Sequence, residues 1–132
     1  MIPKFRAWHK TWEEMGKVKR IRFDDDGNAN NVLFKGKEFG VNAKIDEFEL
    51  MQSTGLHDKN GKEIFEGDIL AIETDEGILN VNIFWDSKHA LFMFESKKYN
   101  EEDLLAELVE DNTYPFEIAG NIYENPELFE VE

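Results

Sequence analysis

Cysteine is absent from the 132 residues. No disulfide framework, thiolate metal site or cysteine nucleophile is available, so the fold must hold itself by packing. Long apolar runs are missing too. None approaches the about 20 residues that cross a bilayer, and the opening Met-Ile-Pro-Lys-Phe-Arg-Ala-Trp-His-Lys has no continuous apolar segment of the kind a secretory signal carries. The expectation is a soluble, cytoplasmic protein with no membrane partner. Bases are scarce against acids, 15 to 29, for a net charge of −14. Phosphate neutralisation needs clustered Lys and Arg, so duplex DNA is not an expected partner through the acidic part of the chain. No glycine-rich loop leads into a helix with a Lys-Ser or Lys-Thr pair, which argues against nucleotide hydrolysis. None of Ser53, Ser87 and Ser96 sits in a Gly-x-Ser-x-Gly elbow, so triad chemistry has no support. With 29 acids present, no glycosidase-type carboxylate pair is singled out.

What the chain does have is aromatic surface and segregated charge. Aromatics make up 13% of it, with eleven Phe, enough large apolar area for one globular core or a core with an appendage. Residues 1–45 hold ten bases and six acids, net +4, and residues 46–132 hold five and twenty-three, net −18. A basic head is joined to an acidic body. This division has two readings: a solvated surface with some attraction between head and body, or self-association in which the head of one copy docks on the body of the next. Arg6, Trp8, Lys19, Arg20 and Arg22 are the candidates for such contacts. Trp8, Trp12, Phe84, Trp85, Phe92 and Phe94 can be read as a base-stacking platform, but platforms pair aromatics with a positive groove and the body is acidic, so core packing is the better reading.

Along the chain, alternation predicts strands at Lys4–Trp8, around Val18–Phe23, at Asn31–Lys35 and at Phe48–Ser53, with an exposed turn at Asp24–Asn28 and a loop over Gly36–Asp46. Asn60-Gly61 favours a tight turn, Glu66-Gly67-Asp68 and Asp75-Glu76-Gly77 mark two more, and Asp86-Ser87-Lys88 another. Between them run Ile69–Ile72, Ile78–Trp85 and Ala90–Glu95. One helix is expected after Asn100, with Asn100 as cap, Glu101, Glu102 and Asp103 at the positive end, and Leu104, Leu105, Leu108 and Val109 as its apolar stripe. Phe116–Tyr123 reads as a last strand with a bulge or close approach at Gly120. Asn125-Pro126 ends regular structure, and Leu128, Phe129 and Val131 fasten the tail.

Glu66-Gly67-Asp68 before an apolar run suggests entry to an SH3-like barrel strand, with glycine at the bend and the acid capping the turn. The expected fold class is therefore mainly β: an SH3-like antiparallel barrel body over 46–132 with one helix near 100–111, and a basic N-terminal β segment over 1–45 packed on the body or on a neighbouring subunit. Gly55, Asp58, Asn60, Gly61, Gly67, Asp68, Gly120, Asn121, Tyr123, Asn125 and Pro126 are read as structural motif residues. A weaker alternative recruits His57, Asp58, Glu66 and Asp68 as metal ligands, without the regular spacing of a calcium loop.

Phe5-Arg6-Ala7-Trp8, the block from Met51 to Ile69 (MQSTGLHDKNGKEIFEGDI) and Gly120 to Leu128 (GNIYENPEL) together resemble the YopX family in order and spacing. The stretches Gly16–Glu49 and Asn80–Tyr114 match nothing nameable. The resemblance implies a small, mostly β protein of Gram-positive bacteria and their phages or prophages, in a family without an assigned biochemical role whose members are thought to be oligomeric. The resulting expectation is a non-enzymatic accessory protein without cofactor, acting through self-association and an unidentified protein partner. Two alternatives stand beside it: an acidic DNA mimic that inhibits a host nucleic-acid enzyme, and a metal-assisted hydrolase using His57, Asp58 and Asp68.

Overall fold

The computed structural model describes residues 3–111 and 113–130; the predicted fastening by Val131 lies outside them. The chain is mainly β, with antiparallel sheets and one short helix, and it divides into two compact units, Met1–Gln52 and Ser53–Glu132. The charge boundary after Ile45 falls inside the first unit. Recounted by unit, Met1–Gln52 carries ten bases and nine acids, net +1, and Ser53–Glu132 five and twenty, net −15.

The first unit is built on β1 (Phe5–His9), β2 (Glu14–Phe23), β3 (Ala29–Lys35), β4 (Gly40–Lys44) and the start of β5 (Phe48–His57), in the order β4-β3-β2-β1-β5. Its inner face carries Ala7, Val32, Phe34 and Phe48, all buried, with Val18, Val41, Ala43, Ile45 and Leu50 packed around them. Gly16 makes this packing possible. A Cβ there would lie 2.5 Å from the Phe34 ring and from the Lys35 carbonyl. With only hydrogen at Gly16, the Phe34 ring can lie across β2 and reach His9 (ring centroids 5.7 Å) and Phe48 (5.3 Å) on strands farther along the sheet. Burying such a ring contributes about 1.5–3 kcal/mol. His9 is buried against Trp12, stacked at 4.3 Å, and its Nδ1 accepts the Trp12 backbone N–H at 3.0 Å.

Two elements differ from expectation here. Gly36–Asp46 contains a strand, β4, whose Val41 and Ala43 face Phe34 and Val32; five residues with two small apolar groups give a faint alternation that pairing with β3 makes good. In β2 the ladder shifts between Val18 and Arg20, leaving Lys19 as the extra residue of a bulge. Strict alternation would send Val18 and Ile21 to opposite faces. The bulge returns both to the inner side.

The second unit contains the rest of β5, β6 (Glu63–Phe65), β7 (Asp68–Thr74), β8 (Gly77–Asp86), β9 (Leu91–Ser96), β10 (Glu101–Leu104), α1 (Leu105–Asp111) and β11 (Phe116–Asn121), with a sheet ordered β10-β9-β8-β7-β11. Its core joins Ile64, Leu70, Ile72, Val81, Ile83 and Phe116 to Leu105 of the helix, with Leu108 and Val109 alongside. The apolar stripe thus packs as expected from Leu105 onward. Its predicted start does not hold: Glu101–Leu104 is a strand paired with Met93–Ser96, and Asn100 sits at φ +52°, a left-handed turn conformation and not the extended backbone of a helix cap. Pairing with β9 overrides the helical signal of Glu-Glu-Asp-Leu. The last strand ends at Asn121, two residues early, because Ile122 and Tyr123 enter a turn.

The expected barrel closure is also corrected. The edge strands β10 and β11 do not pair, so the sheet stays open. The free edge of β11 is instead occupied by the turn after β5: Lys59 donates its N–H to the Phe116 carbonyl at 3.2 Å, and Asp58 Oδ2 accepts the Ile118 N–H at 2.9 Å. A carboxylate and one amide take the place of a neighbouring strand.

Candidate interaction surfaces

The longest motif, from Gly55 to Asp68, is organised around two buried carboxylates. Asp58 Oδ1 accepts the N–H groups of Asn60 (3.0 Å) and Lys62 (2.9 Å), an Asx arrangement closing the Asn60-Gly61 turn with Gly61 at φ +78°. Burial pushes the Asp58 carboxyl up, but the N–H bonds from Ile118, Lys62 and Asn60 and the Lys62 charge together outweigh it and hold the group below the usual carboxylate range. Asp68, 1% exposed, accepts the Phe65 N–H at 2.8 Å through Oδ2. Between them Gly67, at φ +82°, donates to Ile83 and accepts from Ile122 through its backbone, joining three segments. Gly55 takes φ +77°.

The C-terminal motif is a second Asx turn. Asn121 Oδ1 accepts from Tyr123 (3.0 Å) and Glu124 (2.8 Å), and Asn125 Oδ1 accepts from Asn121 N–H at 3.2 Å. The Asn125 side chain occupies the space where a Gly120 Cβ would project, and the β11–β7 register shifts at this glycine. Pro126 opens the terminal 3-10 turn Pro126–Phe129.

The metal alternative finds little to build on. Asp58 spends both oxygens on backbone N–H groups, and Asp68 stands at the start of β7, whereas His57 ends β5. His57, Asp58 and Lys59 border a recess of about 280 Å³ with Tyr114, Pro115 and Phe116. Among the described residues no three His, Asp or Glu side chains gather as metal ligands, and Glu66 joins no such group. No helix among them is long and apolar enough to cross a membrane.

The contact candidates of the first unit separate by face. Arg6 pairs in register with Lys17, and Lys17 with Lys35; Arg20 lies opposite Leu33, and Arg22 opposite Asn31, which itself faces Lys44. Residues directly opposed share a face, so Arg6, Trp8, Lys17, Arg20, Arg22, Lys35 and Lys44 all belong to the outer side. Lys19 is the bulge residue. Arg6 and Trp8 are half-buried there, while Lys17, Arg20, Arg22, Lys35 and Lys44 are exposed. The sequence pointed to Arg20 and Arg22 but missed Lys17, Lys35 and Lys44, whose alignment depends on the bulge and on a strand it had not predicted.

The aromatics are dispersed. Trp12 stacks on His9 in the first unit, Phe92 and Phe94 pack on the core of the second, and Trp85, 43% exposed, meets Phe92 edge-on at 4.9 Å near the β8–β9 turn, with exposed Leu91 on the opposite face.

These features define a class: a small, two-unit antiparallel β protein whose motif residues build turns and protect a sheet edge. The profile of the YopX protein family matches residues 4–130, and the chain belongs to that family. Among solved structures it is similar to protein EF1440 from Enterococcus faecalis, at 32% identity over 98% of this chain and 99% of that one with a TM-score of 0.72. It also shares the fold of protein yopX from Bacillus subtilis, at 18% identity over 96% and 98% with a TM-score of 0.67. No functionally curated protein matches.

Proposed function

We propose that this YopX-family chain is a non-enzymatic, cytoplasmic accessory protein of phage or prophage origin that works by contacts with a protein partner and with copies of itself. The observation that carries this reading is the aromatic end of the β8–β9 hairpin. Trp85 stays exposed there, backed by Phe92 on the same face, on a unit whose net charge is −15. A rigid aromatic anchor inside a polar rim is the usual composition of a contact surface. The acids keep the surface hydrated until a partner covers the anchor. Light scattering coupled to size-exclusion chromatography tests it. At micromolar concentration the chain is expected above its monomer mass of 15.4 kDa, and Trp85→Ser is expected to lower the assembled fraction while leaving the melting temperature nearly unchanged. A wild-type monomer under these conditions overturns the reading.

A further inference from the structure

We propose that the outer face of β2–β4 binds the phosphate backbone of a single-stranded nucleic acid. The β2 bulge at Lys19 brings Lys17, Arg20 and Arg22 onto one side of the strand. At about 3.3 Å per residue, successive cations along this line are about 6.6 Å apart, a ridge running with the strand. Lys35 on β3 and Lys44 on β4 widen it, and the same face of these three strands carries no carboxylate.

The arrangement runs against sheet stability. Lys17 stands directly opposite Lys35, and like charges so placed repel. The chain has 29 acids to relieve 15 bases, and elsewhere it uses them: Lys10 pairs with Glu49 at 3.4 Å and Lys59 with Glu73 at 3.2 Å. Yet Lys17, Arg20, Arg22 and Lys44 form no ion pair with any described residue, and Lys35 reaches only the Glu38 carbonyl at 3.5 Å. The nearby Asp24 turns its carboxylate inward to the N–H groups of Asp26 and Asn28. Uncompensated cations in an acid-rich chain are a surface kept for an external anion.

The ligand class follows from the shape. One line of cations tracks one backbone, whereas a duplex brings a charge every about 1.7 Å of axis toward a protein of opposite total sign. The net charge of −14 does not forbid the contact, because fields from exposed charges fade within about 8 Å at physiological ionic strength.

Fluorescence anisotropy of labelled oligo-dT with the full chain tests the proposal. Binding is expected at micromolar protein, with a log–log salt slope of about −2 to −3.5 if three to five phosphates are engaged. Arg20→Glu/Arg22→Glu is expected to weaken it at least tenfold, and Lys97→Glu/Lys98→Glu, in the second unit, to leave it unchanged. Both pairs are exposed, so thermal melts serve as the check that the variants are folded. No binding, or equal binding by the Arg20→Glu/Arg22→Glu variant, overturns the proposal. Tighter binding of poly-glutamate than of oligo-dT assigns the ridge to an acidic protein and overturns it as well. The outcome is independent of self-association, which is read from mass alone.

Discussion

Asp58→Asn is the sharpest perturbation of the fold, because one side chain closes the Asn60-Gly61 turn and also covers the edge of β11. The carboxylate accepts three backbone N–H groups at 2.9–3.0 Å and is nearly buried. Asparagine keeps one carbonyl oxygen, enough for Asn60 and Lys62, but turns its NH2 toward the Ile118 N–H, donor against donor. Hydrogen bonds to a charged group are worth about 1.5–3 kcal/mol each, and a buried donor left unpaired costs about 1–3 kcal/mol. Losing one bond outright and weakening two places the expected loss at about 2–4 kcal/mol. Urea unfolding at neutral pH, followed by tryptophan fluorescence in a Trp8→Phe/Trp12→Phe background that leaves Trp85 in the same unit as the reporter, reads it. The pH dependence supplies a second sign. The folded carboxyl titrates below its ordinary value, so its stabilisation is present above that value and is lost as the pH falls through the depressed one. The gap between wild type and Asp58→Asn is therefore expected to be constant at neutral pH and to shrink in acid. A loss under about 0.5 kcal/mol, within the range of an ordinary surface change, or a gap unchanged down to the acid limit, refutes the edge-cover reasoning.

Two further substitutions probe the turns and the packing. Gly16→Ala places a methyl group against the Phe34 ring and the Lys35 carbonyl and is expected to destabilise the first unit by about 1–3 kcal/mol, read by tryptophan fluorescence in a Trp85→Phe background; an unchanged midpoint contradicts the packing of Phe34 across β2. Asn121→Ala removes the acceptor of the Tyr123 and Glu124 N–H groups and the donor to the Glu124 carboxylate, and is expected to lower stability by about 1–3 kcal/mol in thermal unfolding; an unchanged midpoint contradicts the role of this turn.

The legible parts of this chain were those where local chemistry decides. Asn60-Gly61, Gly67 and Asp75-Glu76-Gly77 need particular backbone angles or side-chain acceptors, and the structure places turns at all three. The strands between them followed from apolar runs long enough to fill a core. The illegible parts depend on pairing. Glu101–Leu104 carries a helix-start composition, yet β9 offers it a ladder, and a ladder is a property of two segments. The β2 bulge hides in the irregular spacing of Val18, Arg20, Ile21 and Arg22; the basic run is legible there, but which of its cations share a face is not. Barrel closure was wrongly expected for the same reason: nothing local says that the turn at Asp58, and not another strand, covers β11.

Sedimentation velocity of the full chain, alone and with labelled oligo-dT at physiological ionic strength, tests most directly whether the molecule works through its surfaces. The account predicts a species heavier than a monomer without nucleic acid and label that travels with the protein when oligo-dT is added. A lone monomer that leaves the label behind contradicts it.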